Sequence, residues 1–244
     1  MPLSEELERT VHTRELIQGL LAQPRQLGPD YQPIHLLTDD TLVGFKATGR
    51  GAPGTELGDT LSLLDGARSL GFVERIDFAF RALAVEDMLA HPELELHLTP
   101  EPETYGAPCP PRFAGLMGRA NRELSIAAEI HAEAFADGVK LDAGLAEIRE
   151  WGWQVVLTDV ADDDTALSRA HVVRPDVVQV DLRLPGRAAR SAPVARLLKV
   201  ADSFGARVMA LGVDTPTARD VAESLGATLA RGARYGAPGP LPNG

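Results

Sequence analysis

Hydrophobic positions along this chain recur with two periods, and the period switches repeatedly. The opening is helical: Ser4 is placed to cap a helix running to about Gln23, with Leu3, Leu7, Val11, Leu16 and Leu20 roughly on one side, and Pro24 and Gly28-Pro29 end it. From Tyr31 the pattern shortens. Tyr31 to Leu37 and Leu42 to Thr48 flank the turn Thr38-Asp39-Asp40 and predict an antiparallel hairpin. Helical spacing returns over Leu61 to Leu70 and Phe72 to Leu89, broken at Gly71.

Short apolar runs then alternate with helical stretches. Strands are predicted at Leu94 to Thr99, Leu124 to Glu129, Trp153 to Leu157, Val177 to Leu182, Arg207 to Leu211 and Thr228 to Ala230. Helices are predicted at Leu141 to Trp151, Thr165 to Val173, Val194 to Phe204 and Thr215 to Leu225, and Pro100 to Pro111 reads as a loop. Strand–helix alternation of this kind indicates an α/β fold with a parallel sheet, and eight short strands suit a closed barrel. A doubly wound open sheet is the alternative, but no G-x-G-x-x-G or Walker A sequence opens a helix after a strand. The N-terminal helix, residues 1–28, is expected as an extension to a barrel domain of residues 29–244. It would serve either as a dimerisation or partner-binding arm or as a lid folded back on the core.

Composition changes the picture in two ways. The 244 residues carry 35 acidic against 24 basic side chains, a net charge of -11, so direct nucleic-acid binding is not expected and an anionic ligand needs a local basic site. Cys109 is the single cysteine, which rules out an intrachain disulfide and a zinc cluster. No apolar run approaches a membrane span, and acidic Glu5, Glu6 and Glu8 stand where a signal peptide wants positive charge, so the expectation is cytoplasmic.

A parallel barrel gathers its functional residues at the strand C-termini. Lys46, Arg50, His97, Glu129, His131, Asp159, Gln179, Leu211 and Arg231 fall there. Two-metal phosphodiester hydrolysis needs several carboxylates at such a mouth, and acid is thin. His97, Glu129 and Asp159, with or without His131, could instead form a new metal site, although histidines at strand ends are usually just hydrogen-bonded. Asp162-Asp163-Asp164 lacks the spacing and glycine of a calcium loop and reads as a helix cap before Thr165.

In order and spacing these segments resemble the EAL domain, whose members hydrolyse cyclic di-GMP with Mg or Mn. Tyr31-Gln32-Pro33-Ile34 matches Y-Q-P-I, and Val43 to Arg50 falls on V-G-x-E-A-L-x-R. Leu94 to Pro100 falls on L-x-x-N-L-S-P, Glu129-Ile130-His131 on E-I-T, and Leu157 to Leu167 on L-D-D-F-G-T-G-Y-S-S-L. Pro175 to Asp181 falls on the segment ending K-I-D, Ala210 to Thr215 on A-E-G-V-E-T, and Arg231-Gly232-Ala233 on Q-G-Y. The resemblance implies a modified TIM (β/α)8 barrel of EAL type with one antiparallel strand, here with the added N-terminal helix.

The departures from that pattern bear on activity. The first acid of the family name is Lys46, the Asn ligand is His97, the first Asp of the D-D pair is Thr158, the catalytic Lys is Gln179 and the Glu of E-G-V-E is Leu211. Only Glu129 and Asp159 remain of the implied ligand set. A Lys ammonium about 4 Å from a divalent ion is repelled by several kcal/mol even at an effective dielectric of 20. The reading therefore assigns no catalytic residue, no metal ligand and no cofactor. It expects Lys46 to occupy the vacated ion site and pair with Glu129 and Asp159.

The expectation is an inactive relative acting as a regulator, with cyclic di-GMP as candidate ligand and a protein partner or second copy as its output. Gln32, Lys46, Arg50, Glu129, Asp159, Asp176 and Gln179 are the candidate ligand-binding residues. Arg50 keeps the family Arg that approaches a phosphate, while Gln32 and Asp176 keep positions implied to lie near the ligand. The alternatives are a ligand-independent interaction module that sequesters a transcription factor or other regulator, and residual metal-dependent phosphodiesterase activity.

Overall fold

The computed structural model describes residues 3–158, 165–183 and 192–242. Asp159 and Asp162-Asp163-Asp164, to which the sequence assigns a ligand role and a cap, lie outside the described residues.

The first helix, α1 (Leu3–Ala22), is held by its C-terminal half. Ile17, Leu20 and Leu21 are buried against a cluster that includes Leu27, Leu63 and Ile76, whereas Leu7 and Val11 are 64% and 48% exposed. The helix is thus anchored over the core at one end and leaves the other half of its stripe in solvent.

The predicted hairpin is β1 (Asp30–Leu36) and β2 (Leu42–Thr48), paired antiparallel with Gln32 opposite Lys46. Its turn uses Asp40 at φ 58, and Asp39 accepts a hydrogen bond from the Thr41 backbone N–H at 3.0 Å. The strands that follow are β3 (Glu95–Leu98), β4 (Ile126–Ile130), β5 (Gln154–Leu157), β6 (Val177–Asp181), β7 (Arg207–Leu211) and β8 (Leu229–Arg231). From β3 to β8 each pairs parallel with its predecessor, and β8 returns antiparallel to β1. The barrel is closed, which excludes the open doubly wound sheet, and β1 is its one reversed strand.

Between the strands run α2 (Thr60–Leu70), α3 (Val73–Met88), α4 (Pro111–Glu123), α5 (Gly138–Glu150), α6 (Thr165–Val173), α7 (Ala192–Ser203) and α8 (Pro216–Ser224). Asp59 caps α2 by accepting from the Ser62 N–H, and Gly71 at φ 71 closes it with the left-handed turn that favours glycine. Helix α4 is not among the elements expected from sequence, although Phe113, Leu116, Met117 and Ala120 recur there at helical spacing and pack on the core. The predicted loop from Pro100 contains one 3-10 turn, Pro102–Thr104.

The core has two main layers. Outside the barrel, Phe45, Leu96, Ile126, Val155 and Val178 pack under the helices. Inside it, Ile34, Ala127, Val156, Val177, Met209 and Leu229 form a separate cluster. Gly44 faces this interior, where a Cβ would lie 2.4 Å from the Glu95 carbonyl oxygen on β3. Gly44→Ala must therefore push two hydrogen-bonded strands apart. We expect it to lower the urea unfolding free energy by about 2 kcal/mol or more; an unchanged midpoint would refute the close approach.

Candidate functional site: the barrel mouth

Strand pleat and register set the mouth. Side chains alternate in and out along each strand, and alternate strands of a closed barrel contribute to the same interior layer. Near their C-terminal ends the four even strands carry Lys46 (β2), Glu129 (β4), Gln179 (β6) and Arg231 (β8), which meet one another inside the barrel. Glu129 is the centre of this layer. Its Oε2 lies 2.9 Å from the Lys46 Nζ, and its Oε1 accepts from the Gln179 Nε2 at 2.7 Å. Arg231 Nη1 stands 3.6 Å from the same Oε1, and the Thr99 hydroxyl donates to Oε2 at 3.4 Å. Lys46 also donates to the Thr99 hydroxyl.

The Lys46 and Glu129 side chains are 9% and 5% exposed, so the pair is desolvated. Burial pushes the Glu129 pKa upward, but Lys46, Arg231 and His97 outweigh it and hold the carboxyl well below its usual range. Burial pulls the Lys46 pKa down; Glu129 opposes that shift and Arg231 adds to it. The net direction for Lys46 is downward, as expected for an ammonium with a second cation behind its partner.

The layer beneath comes from the odd strands: Ile34, His97, Val156 and Met209. His97 is fully buried and links two carboxylates. Its Nε2 is 2.8 Å from Glu95 Oε1, and its Nδ1 is 3.4 Å from Glu129 Oε1, too poorly aligned for a hydrogen bond. Glu95 anchors a second polar ring at the barrel floor, accepting from Gln154 Nε2, from the Ser125 hydroxyl at 3.4 Å and from Arg207 Nη2 at 3.5 Å. Arg207 also donates to Gln154 Oε1 at 2.7 Å. Burial acts to raise the Glu95 pKa, yet His97 and Arg207 bring it down to about 2. A chain of charges thus runs down the barrel axis.

The sequence-derived candidates divide accordingly. Lys46, Glu129 and Gln179 meet in one layer. Gln32 sits at the same level on β1, its Nε2 3.5 Å from the Gly236 carbonyl. Arg50, just beyond β2, pairs through its Nε with Asp30 Oδ1 at 3.0 Å. Asp176 is a correction. It precedes β6, at the floor rather than the mouth, is exposed, and accepts from the Val155 N–H at 2.7 Å. A residue before a parallel strand lies at the opposite end from the residues that follow it, so Asp176 is remote from the other candidates. Among the described residues no group of three or more His, Cys, Asp or Glu is arranged to hold a metal, so His97, Glu129 and His131 do not make one.

The sequence reading missed the Glu95, Gln154 and Arg207 ring. Its one signal is Glu95-x-His97, two polar residues on the same face of a strand. Beside the mouth, between β2 and α2–α3, lies a cavity of about 200 Å³ walled mainly by apolar side chains, and it opens onto an outer cleft of about 540 Å³.

A closed α/β barrel with one reversed strand and a polar mouth is the class these features define. The sequence profile of the EAL domain matches residues 14–238, and the chain belongs to that family. Among curated proteins no relative matches. Among solved structures, the EAL domain of Xanthomonas citri FimX in complex with c-diGMP superposes with a TM-score of 0.78 at 17% identity, covering 99% of this chain and 98% of that one. The EAL enzyme Bd1971, bound to cAMP and cyclic-di-GMP, gives 0.78 at 17% over 97% of this chain and 68% of its own. The Bacillus subtilis YkuI protein, in complex with substrate c-di-GMP and calcium, gives 0.73 at 17% over 93% and 58%. No helix among the described residues is long and apolar enough to cross a membrane.

Proposed function

We propose that this chain is a non-hydrolysing EAL-domain regulator, a cytoplasmic cyclic di-GMP receptor that signals through a protein partner. The observation that carries the reading is the Lys46–Glu129 ion pair at the centre of the mouth. A divalent ion needs carboxylate lone pairs directed at it. Here one Glu129 oxygen faces Lys46 and the other accepts from Gln179. The described residues of this mouth do not fit a resident metal pair. Support for cyclic di-GMP as ligand comes from the family and from the ligands held by FimX, Bd1971 and YkuI. Residues 29–244 form the receptor barrel in this reading, with residues 1–28 as its extension.

One observation favours a second reading, a ligand-independent interaction module. Arg50, the cation expected at a phosphate, is engaged by Asp30, and Lys46 is buried in its pair.

Calorimetric titration with cyclic di-GMP separates the two. The receptor reading expects saturable binding, no hydrolysis product after prolonged incubation in Mn, and no Mn-induced rise in melting temperature. Absence of binding at high micromolar ligand favours the second reading. Mn-dependent hydrolysis would overturn both.

A further inference from the structure

The cavity beside the mouth suits a long side chain with a charged end. Phe80, Ile76, Leu63 and Leu64 wall it, and two buried acids, Asp77 and Glu101, line it. Asp77 is taken up by Arg81, whose Nη2 is 2.7 Å from its Oδ2. Glu101 is only half satisfied: Arg68 Nη2 donates to its Oε2 at 2.7 Å, while the Arg68 Nε goes to Glu103 Oε1 at 2.6 Å. One guanidinium is thus divided between two carboxylates, and Glu101 Oε1 is left as an acceptor in an apolar wall. The outer cleft continues the imbalance. Its lining carries four carboxylates, Glu101, Glu103, Glu133 and Asp137, against Arg68 and Lys140. Leu61, 75% exposed, stands where cavity and cleft join.

Resting on the protein partner that both readings above invoke, we propose that this cavity docks an arginine presented by a basic segment of that partner, with Glu101 as its anchor. The apolar walls cover the methylene stem of such a side chain. Phe80 offers aromatic surface to the planar guanidinium, and Glu101 Oε1 accepts a charge-assisted hydrogen bond from it. Basic neighbours of that arginine meet Glu103, Glu133 and Asp137 in the cleft. A leucine or phenylalanine anchor would fill the walls and leave the buried Glu101 oxygen unpaired. A lysine brings a point charge without the flat face that stacks. Arginine in a desolvated pocket is also a typical dominant contact of an interface. The net charge of -11 steers a basic partner towards the molecule in the first place.

The charged surroundings add a pH signature. Glu101 faces Arg68 from α2, Asp77 from α3, Lys46 from β2, and Glu103 and Tyr105 on its own loop, with His131 across the cavity. Burial and then Asp77 push its pKa up to about 7, against the pull of Arg68. A guanidinium favours the ionised carboxylate, so affinity rises as pH goes from 6 to 8.

The test is selection of a displayed library of random peptides, about 12 residues long, on the full chain, followed by fluorescence anisotropy of the enriched peptides at pH 6, 7 and 8. Enriched sequences should share one arginine flanked by further Lys or Arg. Replacing that arginine by leucine should weaken binding about tenfold, and so should Glu101→Gln, checked for an intact thermal transition. The two changes together should cost little more than either alone, because each removes the same contact. Glu101→Gln should also flatten the pH dependence. Glu133→Lys, at an exposed position outside the core, should weaken the same peptides on its own. Enriched peptides without arginine, or peptides whose affinity ignores both Glu101→Gln and Glu133→Lys, overturn the proposal. Calorimetric titration with cyclic di-GMP, run in parallel, keeps the receptor reading separate. Cyclic di-GMP binding without enrichment of basic peptides overturns the arginine site and leaves that reading standing. Arginine-dependent peptide binding without cyclic di-GMP binding supports the site and favours the interaction module.

Discussion

Lys46→Met lowers the unfolding free energy by about 3–5 kcal/mol, because it leaves Glu129 charged and buried without its closest partner. Glu129→Gln costs a similar amount for the mirror-image reason: Lys46 then faces Arg231 with no anion between them. The double variant Lys46→Met/Glu129→Gln should recover most of the loss and lie within about 2 kcal/mol of wild type, since neither member is left unpaired. For a chain of this size each kcal/mol moves the melting temperature by roughly 2–4 °C, so each single variant should melt about 10 °C lower. Denaturant unfolding of all four proteins measures the coupling. Simple additivity of the two single losses would mean that the pair is not what fills the mouth. That result would remove the physical basis for the proposed loss of a metal site at this mouth.

Strands β3 to β6 were legible because both their faces are largely buried, which writes them as short, mostly apolar runs between turn residues. Closure was legible from the count of eight short strands, and the one antiparallel strand from the family resemblance. Lys46, Glu129 and Gln179 could be placed together from their order at strand ends. Other parts were not legible for physical reasons. Helix α4 follows directly on Pro108 and Pro110 and opens at Pro111, and these breakers masked the helical spacing of Phe113, Leu116, Met117 and Ala120. Glu95, Gln154 and Arg207 lie on three different strands, and only the register shows that they share a floor. The Arg50–Asp30 pair joins residues 20 positions apart through the β1–β2 ladder, so sequence alone left Arg50 free to face a phosphate. Asp176 was set near the ligand by the family resemblance alone, whereas it precedes β6 and accepts from the Val155 N–H.

The buried acids should give the chain a stability maximum in mildly acidic solution, and two variants should remove its two limbs. Glu95 titrates near 2 in the folded barrel against an ordinary 4.5, so the fold releases this proton more readily than the unfolded chain does. Its contribution is complete above about pH 4.5 and is lost as pH falls towards 2, amounting to roughly 3 kcal/mol. Glu129, also held low, acts in the same direction. Glu101 behaves oppositely. Its folded pKa of about 7 means that the fold holds its proton more tightly, so stability declines as pH rises from 4.5 to 7, again by roughly 3 kcal/mol. Asp77, pushed up mainly by burial, adds to that decline. Urea unfolding across pH 3 to 8 should therefore show Glu101→Gln matching wild type near pH 5 and gaining on it towards pH 8. Glu95→Gln should be the weaker protein at neutral pH, because His97 and Arg207 lose their anion, and should lose little more on acidification. A Glu101→Gln curve that runs parallel to wild type above pH 5 would show that this carboxyl is solvated, and a parallel Glu95→Gln curve below pH 5 would show the same for the floor of the barrel.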